Sequence, residues 1–321
     1  MNSIVRTLDL FHGAGGSSLG AQLAGAKIVA GIDYWDIASE AYMINFPDAK
    51  AIKADIRSVS PTRLRDLVGD VDLIVASPEC TNHSCAKGAA PRNEASRLTA
   101  FEVTRFAREF RPKWIIIENV IQMNRWEKQL ELLNELHDIG YNVTQEKLNA
   151  KDFGVPQTRR RLFLVCSLLG EVKTPVVGSG PITAAKRVID LNGTYNYTPL
   201  YQPKRALATI ERAERAISEL GPKEPFLIVY YGTDGSGGWQ SIEQPLRTIT
   251  TLDRFALIKP SRAGHVMRML QPAELKLAMG FPPSYKLDVG TRRDKVKLMG
   301  NAVCPPVMKS IVNGLLQKQQ A

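Results

Sequence analysis

Cysteine is scarce in this chain: Cys80, Cys85, Cys166 and Cys304 are the only four, at scattered spacings. That excludes a disulfide framework of the small secreted kind. Cys80 and Cys85 have neither a second cysteine pair nor a nearby histidine pair, so no zinc site is expected. The four histidines, His12, His83, His137 and His265, show no ligand spacing, and no metal is expected. No apolar run reaches the roughly 18 residues that suggest a membrane span. Met1-Asn2-Ser3-Ile4-Val5-Arg6 has no signal-peptide layout. No internal repeat is found. These absences point to a reduced, cytoplasmic protein without a membrane partner.

The 321 residues are 44% hydrophobic and 23% charged, which suits about two globular domains. The net charge is +10. A polyanionic partner is the natural expectation, although an inert basic surface gives the same total. Distribution favours the partner. Residues 257–300 carry nine Lys or Arg against three Asp or Glu, and Arg159-Arg160-Arg161 adds a second basic point. Such clustering suits phosphate contacts.

The first half alternates short apolar runs with amphipathic ones. Strands are expected at residues 4–10, 27–32, 51–52, 71–76, 114–117, 142–148 and 161–167. Helices are expected at 37–45, 61–68, 98–110 and 129–139, with a first helix capped by Ser17-Ser18 and running to about Ala24. Repeated β-α units predict a doubly wound, mostly parallel α/β sheet. The polar stretch 87–97 reads as a mobile loop. Beyond Leu169, glycine, proline, tyrosine and threonine become frequent. A second, smaller domain is expected there, of mixed and largely irregular structure. It holds one helix over 206–220, a strand at 226–231 and the flexible loop 232–238. A last helix is expected at 305–317.

Three expected strand ends carry chemistry. Phe11-His12-Gly13-Ala14-Gly15-Gly16 is a glycine-rich turn between a strand and a helix, suited to close backbone approach and an anion. Its spacing is not Gly-x-Gly-x-x-Gly, so a dinucleotide is not indicated. Asp33 follows where such folds bind ribose hydroxyls. Tyr34 and Trp35 could stack on an adenine, and Asp55 could accept from an exocyclic amine. Each acid alone is more often a solvated cap. Together they suit an adenosine with an amino-acid-like tail, which S-adenosylmethionine fits. Past the fourth strand, Ser77-Pro78-Glu79-Cys80 places a cysteine like a nucleophile, although free cysteines are more often buried hydrophobes.

Read together, these pieces resemble the cytosine-5 DNA methyltransferases. Asp9-Leu10-Phe11-x-Gly13-x-Gly15-Gly16 is similar to the family's first motif, and Asp33 and Asp55 to the acids of its second and third. Cys80 stands at the catalytic cysteine, Glu118-Asn119-Val120 at the sixth motif, and Gln157-x-Arg159-x-Arg161 at the eighth. Arg268-Met269-Leu270-x-Pro272-x-Glu274 through Gly280-Phe281-Pro282 resembles the ninth, and Gly300-Asn301-Ala302-Val303 with Pro305-Pro306 the tenth. The resemblance implies methyl transfer from S-adenosylmethionine to C5 of a flipped cytosine in double-stranded DNA, leaving S-adenosylhomocysteine. Cys80 would add to C6, Glu118 would serve as general acid, Arg161 would bind the base carbonyl, and Arg159 and Asn119 would support the site. Phe11, Gly13, Gly15, Gly16, Asp33, Tyr34, Asp55, Ile56, Pro78, Asn301 and Val303 would hold the cofactor. Gln157, Arg205, Arg254 and Arg262 are candidate DNA contacts.

The family fold further implies a discontinuous catalytic domain, 1–168 with 295–321, and a target-recognition domain with hinge at 169–294. A stand-alone bacterial or phage enzyme is expected, acting as a monomer, either solitary or paired with a cognate restriction endonuclease. An RNA methyltransferase of the same chemistry and a silent nucleic-acid-binding relative are the alternatives. The chain departs from the family pattern twice. Glu79 replaces a proline directly before Cys80, and His12 stands where a small residue is common. Glu79 is expected to be a subfamily variation without catalytic meaning, the alternative being a carboxylate that faces a basic neighbour or the DNA side.

Overall fold

The computed structural model describes residues 4–79, 93–172, 181–193, 195–231 and 238–317. Cys80, residues 87–92 of the polar stretch and 232–237 of the glycine-rich loop lie outside the described residues. From Glu94 onward the expected loop is helical.

The first half folds as β1 (Arg6–Leu10), α1 (Gly16–Leu23), β2 (Lys27–Asp33), α2 (Asp36–Asn45), β3 (Lys50–Lys53), α3 (Pro61–Val68) and β4 (Leu73–Ala76). Then come α4 (Glu94–Arg97), α5 (Glu102–Phe110), β5 (Trp114–Asn119), α6 (Gln129–Asp138), β6 (Asn142–Asn149) and β7 (Arg160–Ser167). These strands form one seven-stranded sheet, ordered β3-β2-β1-β4-β5-β7-β6. The first five run parallel, and β7 is antiparallel to both β5 and β6.

The centre is buried on both faces, which explains its unbroken apolar runs. Leu73, Val75 and Ile116 share one core with Leu19, Tyr42 and Ile311. Ile74, Ala76, Ile115 and Ile117 face the other, with Leu64, Phe106 and Leu136. Strand order reverses between β1 and β4, the switch point where such sheets open a crevice beyond their carboxyl ends.

The second half comprises β8 (Thr198–Pro199), α7 (Leu207–Leu220), β9 (Phe226–Val229), β10 (Trp239–Ser241), β11 (Phe255–Ser261), β12 (Gly264–Met269), α8 (Pro272–Ala278), α9 (Arg292–Asn301) and α10 (Pro305–Gln317). It is less irregular than its composition suggests. Five strands form an antiparallel sheet ordered β10-β9-β11-β12-β8. Strands of two and three residues, such as β8 and β10, are too short to show an alternating pattern. Phe226 and Ile228 pack with α7 through Ala213 and Ala216, whereas Leu227 and Val229 join the main core.

The chain closes on its own beginning. α10 lies against α1, where a side chain on Gly20 would start 2.5 Å from Met308 Cβ and 2.6 Å from the Pro305 carbonyl oxygen.

Candidate active site

The glycine turn is built by backbone conformation. Phe11, Gly13 and Gly15 all have positive φ, at 65°, 51° and 72°. Phe11 is not glycine, so its conformation is strained, as is common where a site over-determines the backbone. The turn is pinned to β2: Phe11 N–H and His12 N–H both donate to the Ile32 carbonyl, at 2.9 and 3.1 Å. Asp33 completes the pinning. Its carboxylate accepts from Gly13 N–H at 2.8 Å and from Trp35 N–H at 2.9 Å.

The serine cap expected for α1 is absent. The cap residue is Gly15, and no side chain caps the helix. Ser18 turns inward and donates to Asp9 Oδ2 at 2.6 Å, with Tyr42 Oη 2.8 Å from the same hydroxyl. That arrangement leaves the first-turn N–H groups of α1 without a side-chain acceptor, a setting that favours an anion.

A cleft of about 810 Å³ opens above these strand ends. Phe11, Gly13, Asp33, Tyr34, Pro78, Glu118, Asn301 and Val303 border it. A second region of about 700 Å³, bordered by Phe11, Asp33, Tyr34, Asp55 and Ile56, adjoins it. Gly15 and Gly16 border neither; they permit contacts behind the turn. A side chain on Gly15 would start 2.6 Å from the Phe46 ring, and one on Gly16 2.1 Å from the Val303 carbonyl oxygen. By contrast, a side chain at Gly13 would meet nothing within 4 Å and would project into open space. His12 Nε2 and Ser17 Oγ, both buried in residues bordering the cleft, have no hydrogen-bond partner. An open glycine cradle, unpaired polar atoms and acids at neighbouring strand ends fit an adenosyl amino acid. Asp55 is more committed than expected: it accepts from Arg57 N–H at 3.0 Å and pairs with the Arg57 guanidinium.

Glu118 and Asn119 are the last two residues of β5. Asn119 Nδ2 donates to the Pro78 carbonyl at 3.2 Å, and its Oδ1 accepts from Val120 N–H at 2.8 Å. Asn119 therefore fixes the segment that leads into Cys80. Glu118 is buried beside Arg161, with 3.2 Å between Oε1 and Nε, off the line of a directed hydrogen bond. Burial raises the Glu118 carboxyl above its ordinary value, against the opposing pull of Arg161 and Arg159. Arg159, also buried, donates to the carbonyls of Ile249, Gly300 and Ala302 at 2.8–3.0 Å. It braces the cleft wall formed by Asn301 and Val303. Cys304 borders a small pocket with Glu118, Arg159 and Arg161, and burial pushes its thiol up to about 11. Cys166 is raised by burial too. Neither is a thiolate at neutral pH.

Three expected DNA contacts are engaged elsewhere. Gln157 is fully buried: its amide donates to the Ala278 carbonyl and Met279 Sδ, and its oxygen accepts from Ile249 N–H. It ties β7's entry to the second half of the chain and cannot reach DNA from there. Arg205 holds Thr198 Oγ1 and the carbonyls of Pro199 and Leu200. Arg254 donates to the Tyr230 carbonyl at 2.9 Å. Arg262 alone of the four is exposed, in the turn between β11 and β12. The Arg268–Glu274 pair of the ninth motif is a buried clasp with two contacts of 2.6 and 2.7 Å.

Other features escape sequence reasoning because they join distant positions. Lys297 Nζ lies 4.3 Å from the centre of the Trp35 ring at the cleft's edge. Glu79 accepts from Ser96 Oγ at 2.5 Å.

Fold and site together define an α/β protein with a cleft beyond the strand ends at the switch point of its sheet. A model of the C-5 cytosine-specific DNA methylase family matches residues 5–317, and the chain belongs to that family. Type II methyltransferase M.HindV of Haemophilus influenzae is 26% identical over 97% of this chain and 96% of its own length. Type II methyltransferase M.HgiDI of Herpetosiphon aurantiacus is 28% identical over 93% and 90%. Type II methyltransferase M.DdeI of Desulfomicrobium norvegicum is 31% identical, but the match spans 64% of this chain and 49% of that protein. Among solved structures, the Entamoeba histolytica methyltransferase EhMeth superposes with a TM-score of 0.73 at 16% identity, covering both chains fully. The S. pombe Dnmt2 methyltransferase gives 0.70 at 18%, covering 99% of this chain and 100% of that one. These two likenesses bear on the fold alone. Membership in a methyltransferase family of this kind implies use of S-adenosylmethionine in general. No helix among the described residues is long and apolar enough to cross a membrane.

Proposed function

We propose that this chain methylates C5 of a flipped-out cytosine in a specific short sequence of double-stranded DNA, through a covalent adduct between Cys80 and C6. The observation that carries this reading is buried Glu118 at the cleft, paired with half-buried Arg161 and beside the segment leading into Cys80. The bound cofactor, S-adenosylmethionine, would supply a methyl group on a cationic sulfur. Asp33 would accept from the ribose, Phe11, Tyr34, Asp55 and Ile56 would enclose the adenine, and the α1 N-terminus with Asn301 would meet the amino-acid end.

Cytosine C5 is a weak nucleophile. The Cys80 thiolate would form a bond to C6, moving an electron pair toward C5 while Glu118 gives its proton to N3. A carboxyl held above its usual value keeps that proton more readily near neutral pH, which supports Glu118 as the acid. Arg161 would hold the base carbonyl. After C5 gains its methyl group, a base removes the C5 proton, the Cys80–C6 bond breaks and N3 returns its proton to Glu118, restoring the ring. Inertness of the buried Cys166 and Cys304 thiols supports the assignment to Cys80.

Residues 1–168 with 295–321 would form the catalytic part, and 169–294 the target-recognition part and hinge. Closure of α10 on α1 supports that division. The enzyme would work as a cytoplasmic monomer, solitary or beside a cognate restriction endonuclease. The test is sequencing, by bisulfite or nanopore, of DNA from cells expressing the chain or its Cys80→Ser variant. Modified cytosine at one recurring motif, absent in the variant, is expected. Unmodified DNA from folded wild-type protein would overturn the reading.

A further inference from the structure

Glu79 occupies a place where the family usually has proline, and its side chain does not point away from the cleft. Its Oε2 accepts from Ser96 Oγ at 2.5 Å, and Ser96, on α4, borders the 700 Å³ region. Only Phe11, Asp33, Tyr34 and Glu79, among the described residues, border both the 810 Å³ and the 700 Å³ regions. Those four mark the junction. Asp33 already spends one contact from each oxygen on backbone N–H groups. Among the described residues, Glu79 is held by a single neutral hydroxyl, and it is an exposed residue at the cleft. The Tyr34 phenol is raised by burial, then by Glu79 and Asp33, so both carboxylates act on it electrostatically.

A ligand with its nucleoside in one region and its amino acid in the other must thread this junction. The atoms that join those two parts are the ribose 5′ carbon and the sulfur. We propose that Glu79 is a donor-selecting carboxylate, set where the cationic sulfur of S-adenosylmethionine lies, favouring that donor over the neutral thioether product. This rests on reading the cleft as the S-adenosylmethionine site. The physical basis is simple. Sulfonium and carboxylate attract across a few ångströms, more strongly as the ligand displaces water, and the attraction vanishes when the methyl group has left. Ser96 keeps the carboxylate in place without neutralising it.

The experiment is titration calorimetry of wild type, Glu79→Gln and Glu79→Pro with S-adenosylmethionine and with S-adenosylhomocysteine, after thermal melting has shown each variant folded. The expected result is a loss of roughly three- to tenfold in affinity for the donor, with the product held within about twofold. Glu79→Pro repeats the comparison should the glutamine variant not fold. Equal loss for both ligands would make Glu79 a contact of shape or ribose and overturn the proposal. Unchanged affinity for both would overturn it as well. Wild-type protein that binds neither ligand would instead overturn the cofactor reading, and this proposal with it.

Discussion

Gly16 stands directly against the carbonyl of Val303: a Cβ on Gly16 would lie 2.1 Å from that oxygen. The first turn of α1 and the segment that enters α10 are thus one wall, although the chain between them is nearly the whole molecule. Gly16→Ala must push this wall apart. Overpacking of this kind costs about 1–3 kcal/mol. A lower melting temperature together with weaker binding of S-adenosylhomocysteine is expected. Unchanged melting would show that the wall is not rigid.

Gln157 and Arg262 separate two roles that sequence reasoning had joined. Gln157→Ala strands the buried Ile249 N–H, and a loss of about 1–3 kcal/mol in denaturant unfolding is expected. Arg262→Ala touches only the exposed turn. It is expected to leave stability alone, weaken DNA binding, and reduce the slope of log affinity against log salt by about 1.

Asp9 predicts a pH dependence of stability. Burial raises its carboxyl to about 7 from 3.8, with the Ser18 hydrogen bond opposing and Asp33 adding to the rise. The folded chain therefore keeps a proton that the unfolded chain has released. This contribution is fully present below about pH 3.8 and is lost as pH rises through about 7. Asp9→Asn keeps an acceptor for Ser18 and removes the titration. Between pH 5 and pH 8 the variant should lose about 2 kcal/mol less stability than wild type. Parallel urea curves at the two pH values check it, and equal losses would contradict it.

Glu118→Gln keeps the shape of the site but carries no acidic proton to give. A fall of about 10²–10⁴ in kcat is expected. Arg161→Ala leaves Glu118 buried without its counter-charge, so the Glu118 carboxyl should move higher still and stability should fall. Melting of both variants separates the two effects: only the arginine variant should melt markedly lower.

Much of the large sheet is legible because its central strands are buried on both faces and read as unbroken apolar runs. Leu10, Asp33 and Asn119 fall at strand ends within a residue or two of expectation, since Gly, Asp and Asn punctuate them. The small sheet is hidden by strands too short for a period. The Ser17-Ser18 cap misleads because Gly15, at φ 72°, takes the cap position and frees Ser18 for Asp9. Gln157 and Arg205 read as candidate readers of DNA, for amides and guanidinium groups suit base edges. Their partners are fixed by tertiary structure: those of Gln157 lie 92 to 122 residues on. Glu79 is the converse case. Adjacency to Cys80 marks it as unusual, but only its contact with Ser96 across 17 residues shows where the carboxylate goes.

The most direct test of the central claim is covalent trapping. Wild-type protein, S-adenosylmethionine and duplex DNA carrying 5-fluorocytosine in the methylated motif should give a denaturant-stable protein–DNA adduct, mapped by mass spectrometry to Cys80. Fluorine at C5 blocks the proton removal that would release the thiolate. Cys80→Ser should give none while still binding the cofactor. An adduct at another residue, or none from wild-type protein that binds both DNA and cofactor, would contradict the account.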